Sequence, residues 1–463
     1  MIVAAVRNAA ADAGAPGLAE AVESVRVVGM LSWRYRDPGL LVGQRLGAPV
    51  RHTVYTGNGG SHPQALVNDA CEDILAGRCG VVVVAGAEAW RTRMALRKQG
   101  IRPEWTTQGE DVGTPETRPD VPMQHTSEMT AGLDRPAHVY PLFEQALRIR
   151  AGRQIVEHRD EVAALWSRFS EVATTNPAAW SREPVSAADI ATPSPGNRII
   201  SWPYTKLMNS NNSVEQAAAV ILCSAEAAQR YAVPTDQWVF PRSGSEAQDT
   251  AAIAARGRLD GSPAIRHAGR TALDLAGLSL DDIAAVDLYS CFPSAVQVAA
   301  AELGLPLDDP ARPLTVTGGL TFAGGPWNNY STHAIATMLR RVRESGQPGL
   351  VTANSGYLTK HSIGVYATEP GGGFARASAQ AATDSEPVTE VVEGYDGGAV
   401  LEAWTVLHDR AGAPVSTMAA LRTPDGGRTL ASCDDPGAAV HFVEQELEGA
   451  SAAVTPDGKF VLD

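Results

Sequence analysis

With 463 residues, 44% of them hydrophobic, the chain is long enough for about two to four domains around large cores. Its net charge of −14 argues against the basic face that nucleic-acid binding needs, and no apolar run reaches the roughly 18–20 residues that span a bilayer. The five cysteines, Cys71, Cys79, Cys223, Cys291 and Cys433, are scattered and never form a Cys-x-x-Cys pair. A disulfide framework and a structural zinc site are therefore not expected, no metal is expected, and a reducing, cytoplasmic setting is. The opening Met1–Arg7 lacks a charged segment followed by a long apolar stretch, so no signal peptide is expected.

In chain order, strands are expected at Ser24–Met30, His52–Thr56 and Gly80–Gly86, and a helix from about Pro63 to Ala76 with Leu66, Ala70 and Ile74 on one stripe. Between strand and helix lies Thr56-Gly57-Asn58-Gly59-Gly60-Ser61-His62-Pro63. Its glycines allow close backbone approach, Ser61 is placed to cap, and Pro63 fits the first helical turn. Such a turn aims N–H groups at an oxyanion or phosphate, although an ordinary capped turn fits the same residues. His62 at its mouth is a candidate base or a helix-end residue.

From about Trp90 to Ile200 the alternation stops. A basic stretch (Arg91, Arg93, Arg97, Lys98, Arg102) leads into a Pro/Gly-rich loop and two helix-like segments around Tyr140–Gln154 and Arg159–Ala173, as an inserted loop domain would. Strands resume at Ala217–Cys223, Gln237–Pro241, Ala285–Ser290 and Gly349–Asn354. Helices start at Ser262-Pro263, carrying Ile265, Ala268, Leu273 and Leu275, and near Asn328, carrying Ile335, Leu339 and Val342. Strands alternating with helices indicate an α/β fold.

Three polar segments interrupt this half. In Tyr289-Ser290-Cys291-Phe292 a strand ends in polar residues; Cys291 is a nucleophile if its thiol is acidified and an inert core residue if not. In Thr317–Tyr330 a glycine-dense loop feeds a helix whose Asn328 and Asn329 either donate to a carbonyl oxygen or cap it. In Thr352–His361 an amide, a phenol, an ammonium and an imidazole follow a strand, with His361 a candidate general base. Pro370–Pro387 reads as a linker. Val388–Tyr395, Ala399–His408, Val415–Arg422 and Thr429–Ser432 then read as strands of a small all-β domain. The expected division is 1–225 with the loop domain at about 90–200, then 226–380, then 388–463. No P-loop, Gly-x-Gly-x-x-Gly or Gly-x-Ser-x-Gly motif occurs.

Over about Glu20 to Pro370 the chain resembles the thiolase superfamily. The likeness is carried by Pro203-Tyr204-Thr205-Lys206-Leu207-Met208-Asn209-Ser210-Asn211-Asn212, by Ala272-Leu273-Asp274-Leu275-Ala276-Gly277-Leu278 with Asp281-Asp282-Ile283, and by Tyr289-Ser290-Cys291-Phe292, which is similar to the His-Asp-Cys-Phe loop of the sterol-carrier-protein type. The tail resembles the additional C-terminal domain of thiolase-like proteins type 1, often labelled acetyl-CoA acetyltransferases. The resemblance implies two stacked β-α-β-α-β-α-β-β halves in five layers and an OB-like tail. It implies coenzyme A or acyl-CoA as ligand without a resident cofactor, and a homodimer or a protein partner. Thiolases use a nucleophilic Cys, a His in a Gly-His-Pro loop and a second Cys in a Cys-x-Gly loop. Here the first position falls on Gly59 or Gly60, the second loop reads Gly324-Gly325-Pro326, and the third reads Ala353-Asn354-Ser355-Gly356. A glycine forms no thioester, so the acyl-enzyme route is closed. Thiolase first halves also begin with a strand in the middle of the sheet, whereas this chain opens in a helix (Ile2–Ala13). A gap or a new pairing of its neighbours is expected there, from a misplaced start codon or a truncation.

Three functions follow from the resemblance. In the first, the protein binds acyl-CoA without working as a thiolase. Asn58, Gly59, Gly60, Ser61, Gly325, Asn328, Asn329 and Asn354 then line the acyl-CoA or oxyanion position, and Arg91, Arg93 and Lys98 hold the nucleotide phosphates, unless they are a solvated helix face. In the second it is a cysteine-independent retro-aldol lyase on a β-hydroxyacyl-CoA of lipid or steroid origin, resembling steroid side-chain aldolases. Tyr289, Tyr330, Tyr357, His361 or His62 is then the base, and the tail stands in for their small β-domain partner. In the third it is an acyltransferase using Cys291.

Overall fold

The computed structural model describes residues 1–119 and 121–463. The first half opens with α1 (Ile2–Asp12), which buries Ile2, Val6 and Ala10, followed by β1 (Ser24–Val27), α2 (Pro38–Leu46), β2 (His52–Tyr55), α3 (His62–Leu75) and β3 (Val81–Ala89). The start of α2 is fixed by Asp37, whose carboxylate accepts the Leu40 N–H, and its end by Gly47 in the left-handed region. The loop domain holds α4 (Trp90–Lys98), α5 (Thr126–Thr130), α6 (Pro136–Arg150), α7 (Ile155–Thr175), α8 (Ala187–Ala191) and the short pair β4 (Ile199–Trp202) and β5 (Tyr204–Thr205). The chain returns through β6 (Glu215–Cys223) and leaves by α9 (Ala225–Arg230).

The second half comprises β7 (Phe240–Gln248), α10 (Pro263–Ala276), β8 (Ala285–Asp287), α11 (Pro293–Leu303), α12 (Gly319–Phe322), α13 (Tyr330–Ser345), β9 (Gly349–Ser355), β10 (Lys360–Ala367) and β11 (Ala375–Ser378). After α14 (Gln380–Asp384) come β12 (Gly397–His408), β13 (Pro414–Arg422), β14 (Arg428–Cys433), α15 (Pro436–Glu444), β15 (Ser451–Val454) and β16 (Phe460–Leu462).

The sheets run β2-β1-β3-β6 and β11-β7-β10-β9-β8. Helices α1 and α2 cover the outside of the first sheet and α10 the outside of the second, with α11 against it. Between the sheets lie α3 and α13, each touching both. Burial from both sides explains why His62–Asn68, Ala70 and Cys71 of α3 are all inside, without the polar stripe of a surface helix. The result is the five-layered α/β architecture with an all-β tail.

Four readings need correction. In the second half the strand ahead of the first helix, β7, lies outside β10 rather than in mid-sheet, so the equivalent place in the first half is the outer side of β6. No gap interrupts the first sheet: β1 and β3 pair in parallel from Ser24 with Val82 to Val27 with Ala85. The strand expected at Gln237–Pro241 lies further on, because β7 is built of small residues that hydropathy undervalues. Ser243 is buried and donates to Ala272 O at 2.6 Å, and Gly244 has no space for a side chain beside Asn68. Within the presumed linker, β11 forms a parallel edge to β7, held by Arg376 to Asp69 (2.8 Å) and Glu246 (2.5 Å). Val388–Tyr395 makes only single bridges, Val388 with Arg256 and Val391 with Arg428.

The tail strands run β14-β13-β12-β15-β16, and a Ser432–Lys459 bridge, with Ser432 N–H donating to Gly458 O at 2.9 Å, brings β16 back against β14. Leu401, Trp404, Leu421, Phe442 and Phe460 fill this closed barrel. It is joined to the rest by β4, which pairs with β12. Two buried arginines reinforce the joint. Arg428 pairs with Glu402 at 2.7 Å and donates to Ala254 O at 2.9 Å, and Arg148 pairs with Glu446 beneath the Trp404 ring, 5.7 Å from its centroid.

Candidate functional site

The turn Thr56–Ser61 delivers Gly59 and Gly60, both buried, to the N-terminus of α3. Its donors are already engaged. Gly59 N–H donates to Asn328 Oδ1 at 2.9 Å, and Asn328 Nδ2 donates on to Gly29 O at 2.8 Å. Ser61 N–H donates to Ser355 Oγ at 2.8 Å, and the two hydroxyls share a 2.6 Å hydrogen bond. An oxyanion pocket needs such groups turned toward the substrate. Here the side chains of Asn328 and Ser355 consume them.

The space where a side chain at position 60 would lie is taken. A Cβ there would come within 2.6 Å of Asn354 O and 2.7 Å of Tyr289 Cζ, and closer still to the Tyr289 hydroxyl. Position 59 is closed by Ser355 Oγ at 2.8 Å and the His62 ring at 2.9 Å. The phenol of Tyr289 therefore stands where a nucleophile would. Behind Tyr289, between α10, α11 and the second sheet, lies an internal void of about 10 Å3 lined by Tyr289, Asn354, His361 and apolar residues such as Ile265 and Ile363, enough for about one water.

None of the three candidate phenols is placed as a base. Burial pushes Tyr289 far above the usual phenol range. Tyr330 is raised by burial and by Asp287, to whose Oδ1 it donates at 2.9 Å, while Thr317 Oγ1 lies 2.7 Å away. Asp287 also takes Thr315 Oγ1 and the Val316 N–H, so this is a closed buried network. Tyr357, 0% exposed, accepts from Gln124 Nε2 at 2.8 Å and is pushed up to about 12 by burial. His361 is pushed down to about 3 by burial and stays neutral, with Ser262 Oγ at 3.4 Å and Asp249 at 3.8 Å. It lies at the start of β10, after Lys360, rather than in a turn, which is why it is inside.

Burial also pushes the Cys291 thiol up, to about 12. The groups around it are Asn354 Nδ2, 3.9 Å from its sulfur, and the Tyr140 phenol, and among the described residues no imidazole contacts it to activate it. Tyr140 is a site residue that sequence reasoning missed. It is fully buried in α6, accepts from Asn354 Nδ2 (3.0 Å) and Leu358 N–H (3.1 Å), and stacks on Phe292 at 4.5 Å. A tyrosine inside an amphipathic helix carries no local signal of this. Ser355, the other omission, is marked only by its place in the Cys-x-Gly-like loop.

The remaining candidates lie at the mouth. Asn58 is exposed, 3.4 Å from Asn328 Nδ2. Asn329 is buried against Gly86. Gly325 donates to Asn211 O at 2.9 Å and accepts from Asn212 Nδ2 at 2.7 Å. On α4, which buries none of its side chains, Arg91 lies over the Trp180 ring, and among the described residues Arg91, Arg93 and Lys98 make no ion pair. Trp90 and Trp327 meet edge to face beside them at 5.0 Å. Among the described residues no cluster of His, Cys, Asp and Glu could hold a metal, and no helix is long and apolar enough to cross a membrane.

Residues 379–459 match the thiolase-like protein type 1 additional C-terminal domain. A crystal structure of a monomeric SCP2-thiolase like protein type 1 from Mycobacterium smegmatis is 32% identical, with a TM-score of 0.85 over 100% of this chain and 94% of that one. An Ltp2-ChsH2(DUF35) aldolase (20% identity, TM-score 0.59, 79% of this chain and 91% of that one) and the dimeric peroxisomal thiolase of Saccharomyces cerevisiae (15%, 0.51, 78% and 86%) share the fold. An acetyl-CoA acetyltransferase of Methanothermobacter thermautotrophicus is 28% identical over 174 residues, 34% of this chain, and the match spans less than half, 44%, of that protein's length.

Proposed function

The chain belongs to the family of SCP2-thiolase-like proteins type 1, and we propose that within it this protein binds coenzyme A or a short acyl-CoA without thiolase chemistry. The observation that carries this reading is the Tyr289 phenol in the space a nucleophilic side chain at position 60 would need. The unpaired cations of α4 beside Trp90, Trp180 and Trp327 support binding: guanidinium groups suit the phosphates and an indole face suits adenine. Tyr289, Asn354, Ser355 and His62 crowd the space beside Gly59 and Gly60, so the head of this turn offers no slot for a long acyl group. Free coenzyme A and acetyl-CoA should therefore bind about equally, and a long-chain acyl-CoA no more tightly.

The buried phenols and the neutral, low-pKa His361 do not favour the lyase reading, and the buried Cys291 thiol does not favour acyl transfer. Strand order with a helix between the third and fourth strands supports an OB-like tail. A monomer is supported at β2, whose outer edge is occupied by the chain itself: Tyr55 N–H donates to Glu116 O at 2.9 Å and Glu116 N–H to Thr53 O at 3.1 Å. The test is isothermal titration with coenzyme A, acetyl-CoA and palmitoyl-CoA, alongside a thiol-release assay. Saturable binding near −8 kcal/mol, roughly micromolar, without turnover is expected. Turnover of acetyl-CoA, or no heat with any of the three, would overturn the reading.

A further inference from the structure

Away from Gly60 and α4, a cavity of about 510 Å3 opens between the β7–α10 connection and the α14 segment, a size typical of small-molecule sites. Arg256 lies in its wall and is only 5% exposed. Its Nη2 donates to Tyr357 O and to Thr359 Oγ1, but Nε has no partner. Among the described residues no carboxylate lies within 4 Å of this guanidinium; the group beneath it is the Phe143 ring, 5.2 Å from Cζ. Asp249 and Glu128 balance it only from beyond ion-pair distance, and a buried cation so weakly compensated is costly.

The acidic groups around the cavity are otherwise engaged. Glu302 and Glu386 pair with Arg266 at 3.6 and 2.9 Å, and Glu386 also with His267. Asp384 accepts from Gln380 Nε2 at 2.8 Å, and Asp249 accepts from Ser262 Oγ and the Ala264 N–H. The rest of the lining is largely apolar, with Val121, Ala251, Pro263 and Val388 around the opening.

We propose that this cavity binds an amphiphilic monocarboxylate, its carboxylate against Arg256 and its apolar chain along Val121, Ala251, Pro263 and Val388. One guanidinium edge matches one carboxylate. The lining sets four carboxylates against the guanidiniums of Arg256, Arg258 and Arg266, and this net negative wall disfavours a dianion such as a phosphate ester more than a monoanion. The site is thus independent of coenzyme A binding.

The test is calorimetric titration of the full chain with octanoate, 1-octanol and octyl phosphate, repeated on Ala251→Trp and Arg256→Met. Octanoate should bind with one site, and octanol and octyl phosphate at least about tenfold more weakly. Ala251→Trp, at an exposed rim position, should weaken octanoate at least about tenfold, and Arg256→Met should bring octanoate down to octanol. Because Arg256 also holds the Tyr357–Thr359 turn and its variant can fail to fold, Ala251→Trp decides on its own. The proposal falls if wild type shows no octanoate heat up to about 10 mM, if octanol binds as tightly, or if Ala251→Trp changes nothing.

Discussion

Gly60 offers a direct measurement of how fully Tyr289 occupies the site. In Gly60→Ala the new methyl meets Asn354 O at 2.6 Å and Tyr289 Cζ at 2.7 Å. Asn354 O belongs to β9, an interior strand of the second sheet held between β10 and β8, and the Tyr289 ring is backed by Tyr330 with centroids 5.4 Å apart, so neither can yield freely. Overpacking of this kind costs about 3 kcal/mol. Tyr289→Leu alone leaves a void and costs about 2 kcal/mol. In that background the added methyl keeps only its clash with Asn354 O, and its cost should fall to about 1–2 kcal/mol. The double-mutant cycle should therefore show a coupling of about 1–2 kcal/mol in favour of the double variant. Urea unfolding followed by tryptophan fluorescence and by circular dichroism supplies the four stabilities. If Gly60→Ala costs the same in both backgrounds to within about 0.5 kcal/mol, the phenol does not fill that space and the argument against a nucleophile loses its footing.

Other consequences are equally open to measurement. Cys291, with its thiol near 12, should resist iodoacetamide at neutral pH in the folded protein and react once it is unfolded; mass mapping of the adduct decides it. Arg428→Met leaves Glu402 with Arg422 as its remaining partner and strips the Ala254 and Arg256 carbonyls at the barrel joint of their donor, and should cost about 2–3 kcal/mol, read as early proteolysis between 379 and 459. His361 stays neutral when folded, down to about 3, whereas in the unfolded chain it takes a proton below about 6.5. Its contribution therefore falls as pH drops through that window, by about 1.4 kcal/mol from about pH 7.5 to about pH 5.5. His361→Gln should remove that part of the slope; an unchanged slope would mean another group titrates.

Sequence patterning sufficed where burial was two-sided or periodic. The valine run of β3 and the amphipathic α10 are legible because their side chains alone specify them. It failed where neighbours decide. Ser243, Gly244 and Ser245 of β7 are polar or small, yet they sit in the core because α10 and Asn68 close over them. The start of β10 reads as a polar turn because it carries Lys360 and His361, yet both are buried in the strand. In the candidate site, the three absent catalytic groups were visible in the sequence. That Tyr289 fills the vacated space and Asn328 and Ser355 take up the free amides was not, since those contacts join residues about 230–300 positions apart.

The pairing of β4 with β12 bears on how this protein can be cut and recombined. The loop insertion of the first half lends a strand to the barrel, so the chain has no boundary at the α14 segment where the two ends simply part. A version ending near residue 388 would leave Trp202 and Arg148 facing water and the β4 edge unpaired, a template for association between chains. The barrel alone would lack the strand against which Val406 and Leu407 register. Gene truncations or domain swaps in this family should therefore transfer residues 136–205 together with the tail, as one inherited unit.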